Sequence, residues 1–518
     1  MDRHHEMLPL LAEGVEYLGS YQEGGFHPVH LGDIYNGRYE VVHKLGHGGF
    51  ATVWLCLDQR SHEWRALKIA AADDSDETES DLKLLSMLQA NGLRPEDCEN
   101  HHLTFPTDHF YIDGVNGRHL CCVFPLLGRT ISGMDVRDPP NTFKRIFRQV
   151  GKALAFLHGQ GICHGDITPK NILFRLEDTS RISREEMLRL VGGVGVEYVR
   201  TRTGKSPSPR YPAYVVGPAD LSRLKSTGDV SLVDYGQCFR ADEAPEYIAT
   251  PNQYCAPEVR IGDTPGFSSD LWALACTIVE ARTCVTLFPR TDTIGKLIEA
   301  FRVYLGPLPE PYLSTRIEEL TGMMKRAEGS DAPEYEGLRE VWERQLEHLT
   351  GKRAEGETTG ERERYLAIIK ERTGQENPFL AEIAVTYILP DGTVTKPWSL
   401  AKRELDSLGD LITRTLKYHP EDRLTLEEIL HHPWFQEPAL KDCAAAPECS
   451  LKSPGTPIEN HPGSSIKHAS INEAPPEARP PENRPTWSGP LRKLLALLGR
   501  KLHKLYIRMK LWVSTARR

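Results

Sequence analysis

The decapeptide HGDITPKNIL, residues 164–173, decides how the chain is read. It sets Asp166 five residues ahead of Asn171, is entered from a helical stretch and leaves into an apolar run. A tight loop with that spacing can hold a hydroxyl and a metal beside a phosphate. Gly165 and Thr168 are its two unusual members.

Working outward, residues 142–161 (TFKRIFRQVGKALAFLHGQG) carry Phe143, Ile146, Phe147, Val150, Leu154 and Leu157 at helical spacing, which is core packing. Residues 119–128 (HLCCVFPLLG) are a buried apolar strand breaking into a connector whose backbone suits an adenine edge. Residues 38–70 contain three alternating runs joined by glycines and a polar turn, the pattern of a small antiparallel sheet. Gly46, Gly48 and Gly49 leave backbone amides open to phosphate oxygens, and Lys68 on the third run adds a point charge. Alone, such a glycine turn is an ordinary hairpin. Residues 76–88 (DETESDLKLLSML) read as an acidic helix in which Asp81 can neutralise Lys68, with Glu77 or Glu79 as substitutes if the helix register shifts. Further on come Asp234 at a strand end, Glu258, Asp270 with Trp272, and Arg423.

This ordered set, over about residues 38–435, resembles the eukaryotic protein kinases, and within them the serine/arginine-protein kinases, especially divergent fungal forms. LGHGGFATVWLC (45–56), ALKI (66–69), HGDITPKNIL, PGFSSDLWALACTIVE (265–280), LGPLPEPYL (305–313) and the insert SPRYPAYVVGPADL (208–221) carry the likeness. It implies an α+β, two-lobed fold with a β-rich small lobe and a helical large lobe. It also implies transfer of the ATP γ-phosphate, with Mg²⁺, to protein serine in Arg/Ser-rich basic segments. By the same resemblance Lys68 contacts the α- and β-phosphates, Asp81 is its partner, Asp166 accepts or orients the hydroxyl, and Asn171 and Asp234 hold Mg²⁺. Leu45, Gly46, His47, Gly48, Gly49, Val53, Phe124, Pro125 and Leu127 would complete the nucleotide site, with the Pro125 carbonyl and the Leu127 amide facing adenine. The plainer alternatives are loop hydrogen bonds for Asp166 and Asn171, a solvated strand-end charge for Lys68 and a solvated helix face for Asp81. Glu258 and Arg423 are expected to form a buried ion pair, with Asp270 architectural.

Several positions depart from the family pattern. Gly165 stands where phosphate-switched kinases carry arginine, so activity is expected without activation-segment phosphorylation. Thr168 replaces a lysine near the transferred phosphate, and Lys170, two residues on, is expected to point elsewhere. Ala51 replaces a glycine, the Tyr235 hydroxyl needs a partner, and Cys255 replaces an arginine. A scaffold that keeps the fold and transfers nothing, a pseudokinase, is the rival expectation.

With 518 residues, 39% hydrophobic and 26% charged, the chain can bury one large core or two smaller ones. Its eleven cysteines show no CxxC pair or regular framework and are expected to be reduced and mostly buried in a cytosolic or nuclear protein. No secretory signal or apolar span of ~20 residues is legible. Zinc spacing and the interleaved basic and aromatic residues of a nucleic-acid surface are also missing, and a monomer is expected.

Five regions follow. Residues 1–37 are an N-terminal extension, 38–128 the small lobe, and 129–435 the large lobe with inserts near 177–228 and 319–400. Residues 436–486 are a Pro-rich linker unable to bury enough apolar area to fold, and 487–518 a basic amphipathic helix. From Arg484 to Arg518 there are ten Lys and Arg and no Asp or Glu, although the formal net charge is −9. Leu491, Leu494, Leu495, Leu498, Leu502, Leu505, Met509 and Trp512 form one apolar stripe, which reads as a peripheral membrane anchor or a helix for a binding partner. Packing on the large lobe or nuclear import are the alternatives. Anionic liposomes should co-sediment the full chain and lose it when residues 487–518 are deleted.

Overall fold

The computed structural model describes residues 14–350 and 400–436, apart from residues 78–79, 136, 202, 263, 292 and 329–333. The alternating runs become one antiparallel sheet built from β1 (Ile34–Tyr35), β2 (Tyr39–His47), β3 (Ala51–Asp58), β4 (Glu63–Ala70), β5 (Asp108–Gly114) and β6 (Gly117–Pro125), in the order β1-β2-β3-β4-β6-β5. β2 and β3 are near-continuous runs of buried residues, as strands covered on both faces must be. On one face Val41, Trp54, Leu67, Ile69 and Val123 pack with Val29 and Val216. On the other, Val42, Leu55 and Trp64 pack with Leu126, Met187, Val191 and Leu224.

Of the residues that cover this second face, Met187, Val191 and Leu224 come from the insert near 177–228, although their chain position follows the loop 164–171. Its helix (Arg184–Leu190) and its small strand pair (Val196–Tyr198 with Tyr214–Val216) lean on the small lobe. The Trp64 indole donates to the Ile182 carbonyl at 2.9 Å, the Ala219 amide to the Lys44 carbonyl at 2.8 Å, and the Leu31 amide to the Tyr214 hydroxyl at 3.0 Å. The N-terminal segment joins in through Glu16, which meets both the buried Lys44 ammonium and the Tyr21 hydroxyl.

α1 (Leu82–Ala90) buries Leu82, Leu84 and Leu88, and α2 (Pro140–Gly159) buries the expected stripe from Phe143 to Leu157. α3 (Arg184–Leu190) is capped by Ser183, whose hydroxyl accepts from the Glu186 amide at 3.2 Å. α4 (Phe267–Thr283) is buried almost all round, so it carries apolar residues on every side and forms the centre of the large lobe. Around it Trp272 stacks on Phe288 with ring centroids 5.3 Å apart. α5 (Ile294–Leu305), α6 (Tyr312–Glu328), α7 (Glu334–Leu349) and α8 (Lys402–Thr415) follow. The two-lobed α+β arrangement expected from the sequence is what forms. The readings made for residues 351–399, for the linker from 437 onward and for the basic tail lie outside the described residues.

Arg423 and Glu258 form the expected buried pair, with nitrogen–oxygen distances of 2.7 and 2.6 Å, and Arg423 also donates to the Lys417, Ser268 and Tyr418 carbonyls. Every guanidinium donor direction is used, which is the condition under which a dry ion pair holds. Of the nine described cysteines, eight are buried and Cys284 is exposed, and none is bonded to another. Arg423→Ala should lower the unfolding free energy by about 3–5 kcal/mol, because Glu258 is then left charged and dry. Denaturant titration reads this directly, and the double variant Glu258→Gln/Arg423→Met should lose less.

Candidate active site

The loop 164–171 runs from the short strand β7 (Ile162–Cys163) to β8 (Ile172–Leu176) across the top of α4. Its backbone is held by Asp270 in the first turn of α4. One Asp270 carboxylate oxygen accepts from the His164 amide at 2.8 Å and the other from the Gly165 amide at 2.9 Å, and the His158 ring nitrogen lies 3.0 Å away. Burial alone would raise this acid's pKa, but the His158 contact, the nearby His164 and the Gly165 amide together hold it below the ordinary range.

The five-residue spacing then has a physical reason. Pro169–Asn171 form a 3₁₀ turn that brings the Asn171 side chain back over the loop start. Its Nδ2 donates at 2.8 Å to both the backbone carbonyl and Oδ2 of Asp166. This brace fixes the carboxylate and also settles the Asn171 amide orientation, turning its Oδ1 away from Asp166. The other Asp166 oxygen, Oδ1, is buried without a partner. Burial first, and then the Asp234 carboxylate, push the Asp166 carboxyl up to about 7.

Lys68 on β4 sits between two acids, with its ammonium 2.7 Å from Asp81 Oδ2 and 3.0 Å from Asp234 Oδ1. Burial pulls its pKa down, but the Asp234 and Asp81 carboxylates more than reverse that and hold the lysine charged above its ordinary range. Asp234 is held below the carboxylate range chiefly by Lys68. The acidic stretch before Asp81 was expected to be helical. The structure instead starts α1 at Leu82 and puts Asp81 at its N-cap, so the acid comes from the helix entrance. Asp81 Oδ1 also accepts from the Tyr235 amide at 3.2 Å, which ties the helix entrance to the Asp234 turn. Glu77 faces the Tyr111 hydroxyl instead, and Glu79 lies outside the described residues.

Asp234 has φ +68°, a left-handed conformation that costs a non-glycine residue on the order of 1 kcal/mol. Tyr235 holds the turn: its hydroxyl donates to the Leu232 carbonyl at 2.6 Å and accepts from the Thr104 amide at 3.1 Å, the partner the sequence required.

The roof of the cleft is the β2–β3 hairpin. A Cβ on Gly46, Gly48 or Gly49 would meet nothing within 4 Å, so these glycines leave open backbone above the Lys68 group. His47 is exposed at the tip, and Leu45 and Val53 are half-buried beneath it. At the back, Phe124 packs against Leu82, Leu120 and Cys122. Pro125 closes β6 opposite Arg65, Leu127 is half-buried, and the Gly128 amide donates to Phe174, anchoring the crossing between lobes.

The oxygen donors here fit a hard divalent cation. Asn171 Oδ1 is turned from its brace, and the Asp234 side chain is 46% exposed toward the cleft. Two protein oxygens are few, so the remaining ligands would be phosphate oxygens and water. No group of three or more His, Cys, Asp or Glu with metal-binding geometry exists among the described residues.

Sequence reasoning missed the residues that hold the segment after Asp234. Gln237 Oε1 accepts from the Ala249 amide at 2.8 Å, Thr250 Oγ1 donates to the Gly165 carbonyl at 2.5 Å, and Arg260 donates to the Thr250 carbonyl at 2.7 Å. These are side-chain contacts between distant backbone points, with no local signature. Gly165 has φ +79°, and a Cβ there would lie 2.4 Å from the Gln237 carbonyl oxygen.

The protein kinase domain family matches residues 39–189 and 223–435. The gap from 190 to 222 falls inside the insert. The chain is 39% identical over 166 residues to SRSF protein kinase 3 of Homo sapiens, covering 30% of this chain and 29% of that protein. It is 35% identical over 175 residues to serine/threonine-protein kinase spk-1 of Caenorhabditis briggsae, covering 32% of this chain and 15% of that protein. A third similarity, to serine/threonine-protein kinase SRPK of Physarum polycephalum, is 26% identical over 456 residues and covers 82% of this chain and 91% of that protein. The matched part is thus less than a third of the length of the human relative and about a sixth of the nematode one.

The Asp166 carboxyl gives a stability prediction that needs neither nucleotide nor metal. Its folded pKa of about 7 lies above the unfolded value of about 4, so the folded state binds the extra proton between them. Rising pH through that window costs the folded protein stability, and above it the loss is constant. Asp166→Asn removes the charge, so in EDTA it should melt higher than the unmutated protein at pH 8. The gap should shrink steadily toward pH 5.

Proposed function

This chain belongs to the protein kinase family, and we propose that it is a serine/threonine kinase that moves the ATP γ-phosphate to serine in basic, arginine-rich protein segments. The observation that carries the proposal is the convergence of Lys68, Asp81, Asp166, Asn171 and Asp234 on one cleft, with the distances given above. An ATP tail brings several negative charges, so fixed cations and dipoles must be in place before a nucleophile approaches.

In this proposal Lys68 holds the α- and β-phosphates while Asp81 keeps the ammonium from swinging away. Asn171 and Asp234 are the groups that would hold Mg²⁺, which when bound screens the phosphate charge and fixes its orientation. Asp166 orients the serine hydroxyl and takes its proton, and the Asn171 brace sets the direction of attack. The open glycine hairpin covers the phosphates with backbone amides, and Phe124, Pro125 and Leu127 border the adenine.

Substrate class rests on the SRSF protein kinase name of the human relative and on the acidic balance of the chain, net −9, which steers a basic peptide toward the cleft. Independence from activation-segment phosphate is supported by the contacts of Gln237, Thr250 and Arg260, which hold that segment without one.

Purified protein with Mg²⁺ and ATP should label an Arg-Ser-rich peptide, and Asp166→Asn should abolish labelling while nucleotide still raises the melting temperature. Phosphatase treatment should leave turnover unchanged, whereas Gln237→Ala should lower it. Nucleotide binding without any labelling would favour a scaffold, and turnover that climbs steeply with phosphate between Gln237 and Thr250 would sink the phosphate-independent part.

A further inference from the structure

Away from the cleft, three buried side-chain atoms without a hydrogen-bond partner among the described residues lie in one seam: His27 Nδ1, His119 Nε2 and Asn116 Oδ1. The seam forms where the N-terminal segment crosses the β5–β6 hairpin. The Gly24 amide donates to the Asn116 carbonyl at 2.8 Å, and Asn116 Nδ2 donates at 2.8 Å to both the Phe26 and the Arg210 carbonyls. With both amide protons used on carbonyls, the Asn116 orientation is settled and Oδ1 is the atom left over. Buried polar atoms are nearly always paired, so three left open in one seam call for a physical reason.

His119 on β6 is fully buried, and its Nδ1 lies 3.0 Å from the Ala70 carbonyl. A carbonyl only accepts, so Nδ1 carries the proton and Nε2 presents a bare lone pair. An imidazole whose far nitrogen donates to a backbone carbonyl is oriented as metal-binding histidines are. The half-buried His27 ring stands against it, with centroids 5.0 Å apart and planes at 62°. Two imidazoles on one tetrahedral ion, each with a metal–nitrogen distance of about 2.0–2.1 Å, also place their centroids about 5 Å apart. Gly114 makes the space, since a Cβ there would lie 2.4 Å from His27 Nδ1 and 3.6 Å from His119 Cδ2, the ring carbon beside Nε2. Both open edges therefore border the same glycine.

From these two imidazoles with open nitrogens over Gly114, we infer a metal site in the small lobe, formed by His27 and His119 and taking a divalent transition-metal ion of the Zn²⁺ type. Neutral imidazole suits such ions, whereas Mg²⁺ takes oxygen donors and does not settle between two nitrogens. The pair fills half of a tetrahedral shell, and water, with Asn116 Oδ1 of the same seam, supplies the remainder. The ion acts as a clip, because His27 belongs to the N-terminal segment and His119 to the sheet. The same segment already accepts from the Ala72 amide through the Gly25 carbonyl at 3.0 Å and from the Asp73 amide through the Gly24 carbonyl at 2.8 Å, just beyond β4. Metal binding thus stabilises the seam that joins the segment to the small lobe. No group of the cleft takes part, so the inference stands apart from the kinase reading.

The test uses the full chain, stripped of metal by a chelator, with the variants His27→Ala and His119→Gln. In calorimetry with excess Mg²⁺ present, Zn²⁺ should bind the unmutated protein at a site whose affinity falls at least about tenfold in either variant. Zn²⁺ should raise the melting temperature of the unmutated protein and leave that of His27→Ala where it was. Cu²⁺ serves as a spectroscopic probe: electron paramagnetic resonance should show two coordinated imidazole nitrogens in the unmutated protein and fewer in His27→Ala, a signature that two merely packed rings do not give. His27 is half-buried, so His27→Ala decides the matter if His119→Gln fails to fold. Failure of the unmutated protein to take up Zn²⁺ overturns the inference. So does equal Zn²⁺ affinity in the unmutated protein and His27→Ala, or a Cu²⁺ spectrum without imidazole nitrogen.

Discussion

The site depends on one ammonium shared by two carboxylates from different parts of the fold. Lys68 rises from the small-lobe sheet, Asp81 from the entrance of α1, and Asp234 from a turn between the lobes. The two contacts are unequal. Asp81 is 4% exposed and closed off by protein, while Asp234 is 46% exposed and open to solvent. A phosphate entering the cleft would compete with Asp234 and leave the Asp81 contact in place. The charge set is therefore graded, with one fixed counter-ion and one exchangeable.

A second layer holds this set without touching it. Asp270 grips the loop backbone at His164 and Gly165, Asn171 closes the loop on Asp166, and Tyr235 fastens the left-handed Asp234 turn to the Asp81 carboxylate. Each of these is a hydrogen bond to backbone or a short span, so small side-chain motions cannot spread the acids apart. The insert adds to this from the opposite face of the sheet, where Met187, Val191 and Leu224 fill the hydrophobic layer behind Val42, Leu55 and Trp64. Chain that leaves the large lobe thus returns to cover the small one.

Much of this was legible because it is local in sequence. The period-two runs gave the sheet, the 3.6 spacing of Phe143 to Leu157 gave α2, and the Asp166–Asn171 interval gave the loop. Lys68 was legible from its apolar strand. What failed was of two kinds. The start of α1 was misplaced because Asp76 to Ser80 have the composition of a helix entry, and tertiary pairing of Asp81 with Lys68 and Tyr235 decided where the helix begins. The roles of Gln237 and Thr250, and the covering of the small lobe by the insert, depend on contacts between residues far apart along the chain, for which period and spacing carry no information.

The backbone of Gly165 passes so close to the Gln237 carbonyl that a side chain has no room, and its φ lies where only glycine is comfortable. An arginine before Asp166, as a phosphate-sensing switch would need, has no room unless Gln237 and its grip on Ala249 shift as well. A side chain at this position is therefore admitted only at the expense of a contact that holds the segment after Asp234.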